Sequence, residues 1–113
     1  MHDDATGTDA VTCRLDTLDA DLTAAGAGNL GGATRAAALR SRVGKAKNLV
    51  ERSRSLSGKK ALKKLKGANK QVGMFVQLVK RGQSRTKIAA SLAQQLLSVA
   101  GDAAAHLQQL IVP

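Results

Sequence analysis

Acidic residues are scarce in this chain: 8 Asp and Glu stand against 18 Lys and Arg in 113 residues, a formal charge of +10. That deficit means the bases cannot all be neutralised internally. Cysteine occurs once, as Cys13, which excludes an internal disulfide and a cysteine-rich metal site. Cys13 reads as a small residue near one end of the fold or as a thiol free to pair with another chain. The single proline is Pro113, so no ring interrupts a helix anywhere upstream. Trp and Tyr are absent and Phe75 is the one aromatic. The chain therefore lacks the aromatic platforms on which single-stranded nucleic acids stack and the anchors of interfacial membrane helices. No apolar run approaches the roughly 20 residues of a membrane span. The acidic N-terminus "MHDDATGTDAVTC" has no apolar core of a signal peptide. The default expectation is therefore cytoplasmic, or secreted if Met1 is not the true start or the chain is a fragment.

Catalytic and cofactor chemistry finds little to work with. His2 and His106 are too few and too far apart for a metal site, and His106 reads as a half-buried structural histidine beside the inner face of the last helix. No serine or cysteine has a credible histidine and carboxylate partner. Asp16 and Asp19 lie three apart on the first helical segment, and they read as solvent-facing or turned toward the basic helices rather than as an acid/base pair. "GAGNLG", Gly26 to Gly31, matches the G-x-G-x-x-G letters, with Glu51 twenty residues further on. A helical pattern precedes it, however, and the motif requires a strand there; it reads as a flexible interhelical loop. The expectation is a non-enzymatic chain with no catalytic residue, no cofactor and no metal.

What is present is Ala, Leu and Val in helical spacing. Residues 1–11 read as a mobile acidic lead-in and residues 12–113 as one helical domain. Leu15, Leu18 and Leu22, preceded by Val11, mark a short first helix ending near Ala25. Thr34 is the expected N-cap of a second helix whose inner face is Leu39, Val43, Ala46 and Val50, with Leu49 beside it, running to about Leu56. Ser57 is the expected cap of a third, with Ala61, Leu65, Ala68, Val72, Phe75 and Val79 inside and Gly82 as the closing C′ glycine. Ser84 or Thr86 begins the fourth, with Leu92, Leu96, Val99, Ala103, Leu107 and Leu110 inward. Gly44, Gly67, Gly73 and Gly101 fall within helices, and Gly73 is expected to permit a close helix contact. Four such stripes bury one another most economically as an all-α, antiparallel up-and-down four-helix bundle.

Charge is segregated along the chain. Residues 1–34 carry Arg14 against six aspartates, whereas residues 35–88 carry seventeen Lys and Arg against Glu51 alone. Lys59, Lys63, Lys66 and Lys70 recur by four, three and four, and at 100° per residue they fall nearly opposite the apolar stripe. Such a ridge suits a wetted helix face. It lacks the interleaved glutamates that relieve like-charge repulsion at i,i+4, and an anion would supply the same relief. The expected polyanion-binding set is Arg42, Lys45, Arg52, Lys59, Lys63, Lys66 and Lys70. The candidate partners are nucleic acid and acidic polysaccharide, with a protein partner also in view and the oligomeric state open. Without a helix-turn-helix, zinc or basic-zipper signature, nucleic-acid binding would run through phosphates with little sequence preference.

From about Leu15 to Leu110 the chain resembles the FIMAH-type helical modules found at the C-terminal ends of secreted bacterial multidomain proteins. The likeness is carried by "AALRSRVGKAKNLVERS", "ALKKLKGANKQVGMFVQLVKRGQ" and "IAASLAQQLLSVAGDA", including Ala68, Val72, the Phe75–Val76 pair, Val79, Gly82 and the paired leucines Leu96–Leu97. These are packing positions. The resemblance implies a helical bundle and an accessory or attachment role without enzymatic activity.

Overall fold

The computed structural model describes residues 7–111, and its elements are α1 (Gly7–Asn29), α2 (Ala33–Arg54), α3 (Gly58–Ser84) and α4 (Ala90–Ile111). Among the described residues there is no strand. Each helix packs against two neighbours in the cyclic order α1, α2, α3, α4, and neither diagonal pair meets. The chain is an all-α, antiparallel four-helix bundle. At about 1.5 Å per residue the 27-residue α3 is roughly 40 Å long, which accounts for the 42 Å long axis of a 42 × 26 × 20 Å body.

The core follows the spacing of the apolar side chains. Val11, Leu15, Leu18 and Leu22 of α1, Leu39, Val43, Ala46 and Val50 of α2, and Leu65, Ala68, Val72, Phe75 and Val79 of α3 are all buried in one cluster. Phe75 is fully buried and is the largest side chain inside. Ser53 joins this interior at no polar cost, because its hydroxyl donates to the Val50 carbonyl at 2.6 Å. In α4 the most central positions are Ala93, Leu96, Ala100, Ala103 and Leu107. Leu92, Val99 and Leu110, expected inside, flank the core half-buried instead. Alanines on the centre line let α4 approach closely, and the bulkier side chains then fill its edges.

Several boundaries differ from the sequence-based expectation. The first helix is not short: it spans 23 residues and begins at Gly7. Residues 1–6 of the expected lead-in lie outside the described residues, while residues 7–11 form the opening turns of α1 with Ala10 and Val11 buried. Arg54 holds this end, its Nη2 lying 2.8 Å from Asp9 Oδ1 and donating to Thr12 Oγ1 at 3.1 Å. The regular helix is interrupted at Gly26 (φ 77°) near the expected end, but one further turn follows, so "GAGNLG" is not a flexible loop. Leu30 is fully buried against the core end, and Gly31 (φ 89°) adopts the left-handed conformation that lets the Gly32 N–H return to the Ala27 carbonyl at 2.9 Å. Thr34 is not a cap, since α2 starts one residue before it, after Gly32, and ends at Arg54. Ser57 occupies the N-cap of α3 in extended geometry, although its side chain makes no capping bond.

Gly82 does not close α3. It lies buried inside the helix, which continues to Ser84. The left-handed residue is Thr86 (φ 57°), around which the Lys87 N–H donates to the Gly82 carbonyl at 2.8 Å and the Thr86 N–H to that of Gln83 at 3.0 Å. This is a Schellman turn with threonine in the position that glycine usually fills. Glycine is needed at 82 for a different reason: a Cβ there would lie 2.5 Å from Ile88 Cδ1 and 2.8 Å from Ile88 Cγ1. Ile88, buried in the α3–α4 connection, plugs that end of the core. Gly73 was the glycine expected at a close contact, but it is exposed, with nothing near its Cβ direction. α4 begins at Ala90, later than Ser84 or Thr86, because this turn and Ile88 occupy the intervening chain.

Gly82→Ala should therefore lower stability by about 1–3 kcal/mol through overpacking. Gly73→Ala, which adds a better helix former in open space, should raise it by roughly 0.5–1 kcal/mol. Urea unfolding followed by circular dichroism distinguishes the two signs.

Candidate polyanion-binding face

Two contacts fix how α2 and α3 lie together. Arg42 Nη1 donates to Gln71 Oε1 at 3.0 Å, and the Gly67 Cβ direction meets Leu49 Cδ1 at 3.2 Å. Arg42 and Leu49 are seven apart on α2, and Gln71 and Gly67 are four apart on α3 in the opposite sense, so the pair is antiparallel. That register brings Lys45 level with Lys70, and Arg52 level with Lys63. The core stripe of α3 faces inward, its Gln71 and Gly67 edge faces α2, and Lys59, Lys63, Lys66 and Lys70 stand exposed on the outer ridge. At 1.5 Å per residue the ridge runs about 16 Å from Lys59 to Lys70. Lys45 and Arg52 are exposed on α2, and only Arg42 of the expected set is half-buried, by its bond to Gln71.

Charge pairing divides the bundle. Lys47 of α2 lies 2.8 Å from Asp16 Oδ1 and 3.4 Å from Asp19 Oδ2 of α1, Arg54 pairs with Asp9 and more loosely with Glu51, and Arg14 of α1 lies 3.6 Å from Asp102 of α4. Among the described residues these ion pairs join α1, α2 and α4, and none includes α3. The eight lysines and arginines of α3 (Lys59, Lys60, Lys63, Lys64, Lys66, Lys70, Lys80 and Arg81) share their helix with no acid. Lys59 and Lys60 also occupy its first turn, where the positive end of the helix dipole adds to their field. Asp16 and Asp19, expected to face solvent or the basic helices, do the latter through Lys47.

The face carries two depressions. A shallow one of about 370 Å³ is lined by Lys59, Leu62, Lys63 and Lys66, with half-buried Leu62 among the three lysines. The other, of about 250 Å³, lies on the α2–α3 seam and is lined by Arg42, Met74, Gln77, Leu78 and Arg81. Arg81 and the glutamines were not foreseen. Their signal was available: Gly67, Gln71, Met74, Leu78 and Arg81 recur by four and three along the α2-facing edge. No group of three or more histidine, cysteine or carboxylate side chains among the described residues could hold a metal ion. No described helix is long and apolar enough to cross a membrane.

The hydrogen bond to Asp16, followed by its charge and the contacts with Asp19, outweighs burial and raises the Lys47 pKa above its ordinary 10.5. A raised pKa in the folded state gives stability that is fully present below pH 10.5 and is lost as pH climbs through the folded value. Because Lys47 is only half-buried and its carboxylate partners are open to solvent, Lys47→Met should cost less than about 1 kcal/mol at pH 7. The difference from the parent protein should shrink as pH rises beyond the ordinary lysine range and through the raised folded value, as read from urea midpoints across the alkaline range. No protein-family model matches the chain, and neither the curated proteins nor the solved structures contain a significant match to it.

Proposed function

We propose that the chain is a non-enzymatic helical interaction module that binds an anionic polymer or surface through the joined faces of α2 and α3. The observation that carries this reading is the unpaired cation surplus of α3. Eight cations lie on one helix with no acid to balance them, and their neighbour α2 adds exposed Lys45 and Arg52 at the same levels. Like charges held at i,i+4, as in Lys59–Lys63 and Lys66–Lys70, oppose folding slightly, and a phosphate, sulfate or carboxylate polymer would relieve the repulsion while releasing its own counterions. The acidic residues do not compete for this face, since Asp9, Asp16, Asp19 and Asp102 are engaged on the other side of the bundle. The likeness to FIMAH-type modules favours the same kind of role, attachment without catalysis. A cytoplasmic protein making sequence-independent phosphate contacts would use the same residues.

Retention on heparin and on DNA resins across a salt gradient tests the reading. The parent protein should elute from at least one resin well above 0.15 M NaCl. The Lys59/Lys63/Lys66/Lys70→Ala variant should keep its helicity and elute far earlier, because four phosphate-seeking charges are gone. Elution of the parent at or below 0.15 M from both resins would refute binding. Loss of helicity in the variant would refute the outward placement of the ridge.

A further inference from the structure

The groove on the α2–α3 seam has a different chemistry from the lysine ridge beside it. Met74 and Leu78, both half-buried, form an apolar floor, and Arg42, Gln77 and Arg81 form its polar walls. Arg42 is held in place by donating to Gln71 Oε1 at 3.0 Å, so one guanidinium plane is positioned before any ligand arrives. A volume near 250 Å³ corresponds to roughly eight waters of liquid, room for one planar ring. Exposed cations continue beside it, with Lys45 one turn along α2 from Arg42, and Lys70 one turn before Met74 on α3.

This arrangement separates the candidate polyanions. An acidic polysaccharide is hydrated along its whole length and offers nothing to a thioether and leucine floor. A duplex keeps its bases stacked inside and presents only its backbone to a shallow interhelical groove. A second copy of this chain brings a net charge of +10 of its own, with most of its described acids already paired. A single strand alternates phosphates with flat rings that have one apolar face, which matches an apolar slot set within a row of cations.

We infer that the polyanion is single-stranded nucleic acid, with one base lodged in the α2–α3 groove and the adjoining phosphates on Lys45 and Lys70. This rests on the polyanion reading above and adds a base-binding element to it. Phe75, the one aromatic side chain, is fully buried in the core, so stacking falls to the guanidinium planes of Arg42 and Arg81 and to the Met74 sulfur. Gln77 supplies an amide able to donate to or accept from any base edge, so the slot tolerates every base.

The test is fluorescence anisotropy at 0.1 M NaCl with a labelled 12-nucleotide oligothymidine. An abasic deoxyribose-phosphate strand of equal length, a duplex of equal phosphate number and a heparin fragment serve as comparisons. The parent protein should bind oligothymidine about fivefold or more tightly than the abasic strand. Met74→Ala/Leu78→Ala should reduce oligothymidine to the abasic affinity. Arg81→Lys, which keeps the charge and the fold but loses the planar fork, should at least halve the discrimination. Lys59/Lys63/Lys66/Lys70→Ala should weaken both strands and leave their ratio intact. Equal affinity of the parent for oligothymidine and abasic strands, or preference for duplex or heparin, would overturn the base-binding groove while leaving polyanion binding standing. Failure to bind any of the four would overturn both.

Discussion

Burial of four apolar stripes in one narrow core governs the rest of this molecule, because it decides where every charge must go. Each helix commits one face to the interior, and on α3 that commitment is complete from Leu65 through Val72, Phe75 and Val79. Lys59, Lys63, Lys66 and Lys70, on the opposite side of the helix, are then driven outward by geometry, since a charged amine in the core would cost far more than its exposure. The ridge is thus a consequence of packing. The same constraint explains the glycine at 82: the core ends where Ile88 folds over α3, and only a residue without a Cβ leaves room for it.

The cyclic order of the helices converts a segregated sequence into a polarised body. α1, which holds most of the described acids, lies diagonally opposite α3, which holds none, so their backbones stay apart and their polar faces point away from each other. α2 stands between them and is divided along its length. Its Lys47 and Arg54 turn toward α1 and find carboxylates, while Arg42, Lys45 and Arg52 accompany α3. Had the acidic helix been a neighbour of α3, some of the α3 cations would have found carboxylates within the fold. Topology, as much as composition, leaves one side of the bundle with an unbalanced field, and focused fields of this kind raise the local concentration of anionic partners.

The legible part of this structure was the part set by large side chains at regular spacing. The stripes of α2 and α3 and the outward lysines follow directly from positions such as Leu39, Val43, Lys63 and Lys66. Alanine defeats that reading in α4, where Ala93, Ala100 and Ala103 lie on the centre line and the bulkier Leu92 and Val99 do not. Small residues mark the closest approach of two helices, yet they carry little hydropathic weight, so the face centred on leucines is rotated from the true one. The opening turns of α1 were hidden because Gly7–Val11 looks polar and weakly helical alone, and its order comes from tertiary burial of Ala10 and Val11, with the exposed Asp9–Arg54 ion pair at its edge. The groove was missed for a related reason. Its walls belong to two helices, and a flank position acquires meaning only once the neighbouring helix and its register are known.

The central claim is that the cations of α3 repel one another without internal relief, and the salt dependence of thermal stability tests it most directly. If the surplus is unpaired, screening lowers the repulsion faster than it weakens the few ion pairs on the opposite side. The melting temperature of the ligand-free protein should then rise by several degrees as NaCl increases from about 20 mM to 300 mM, over which the Debye length falls severalfold. A melting temperature that falls over that range would mean that attractive pairs dominate the electrostatics, and it would contradict the account.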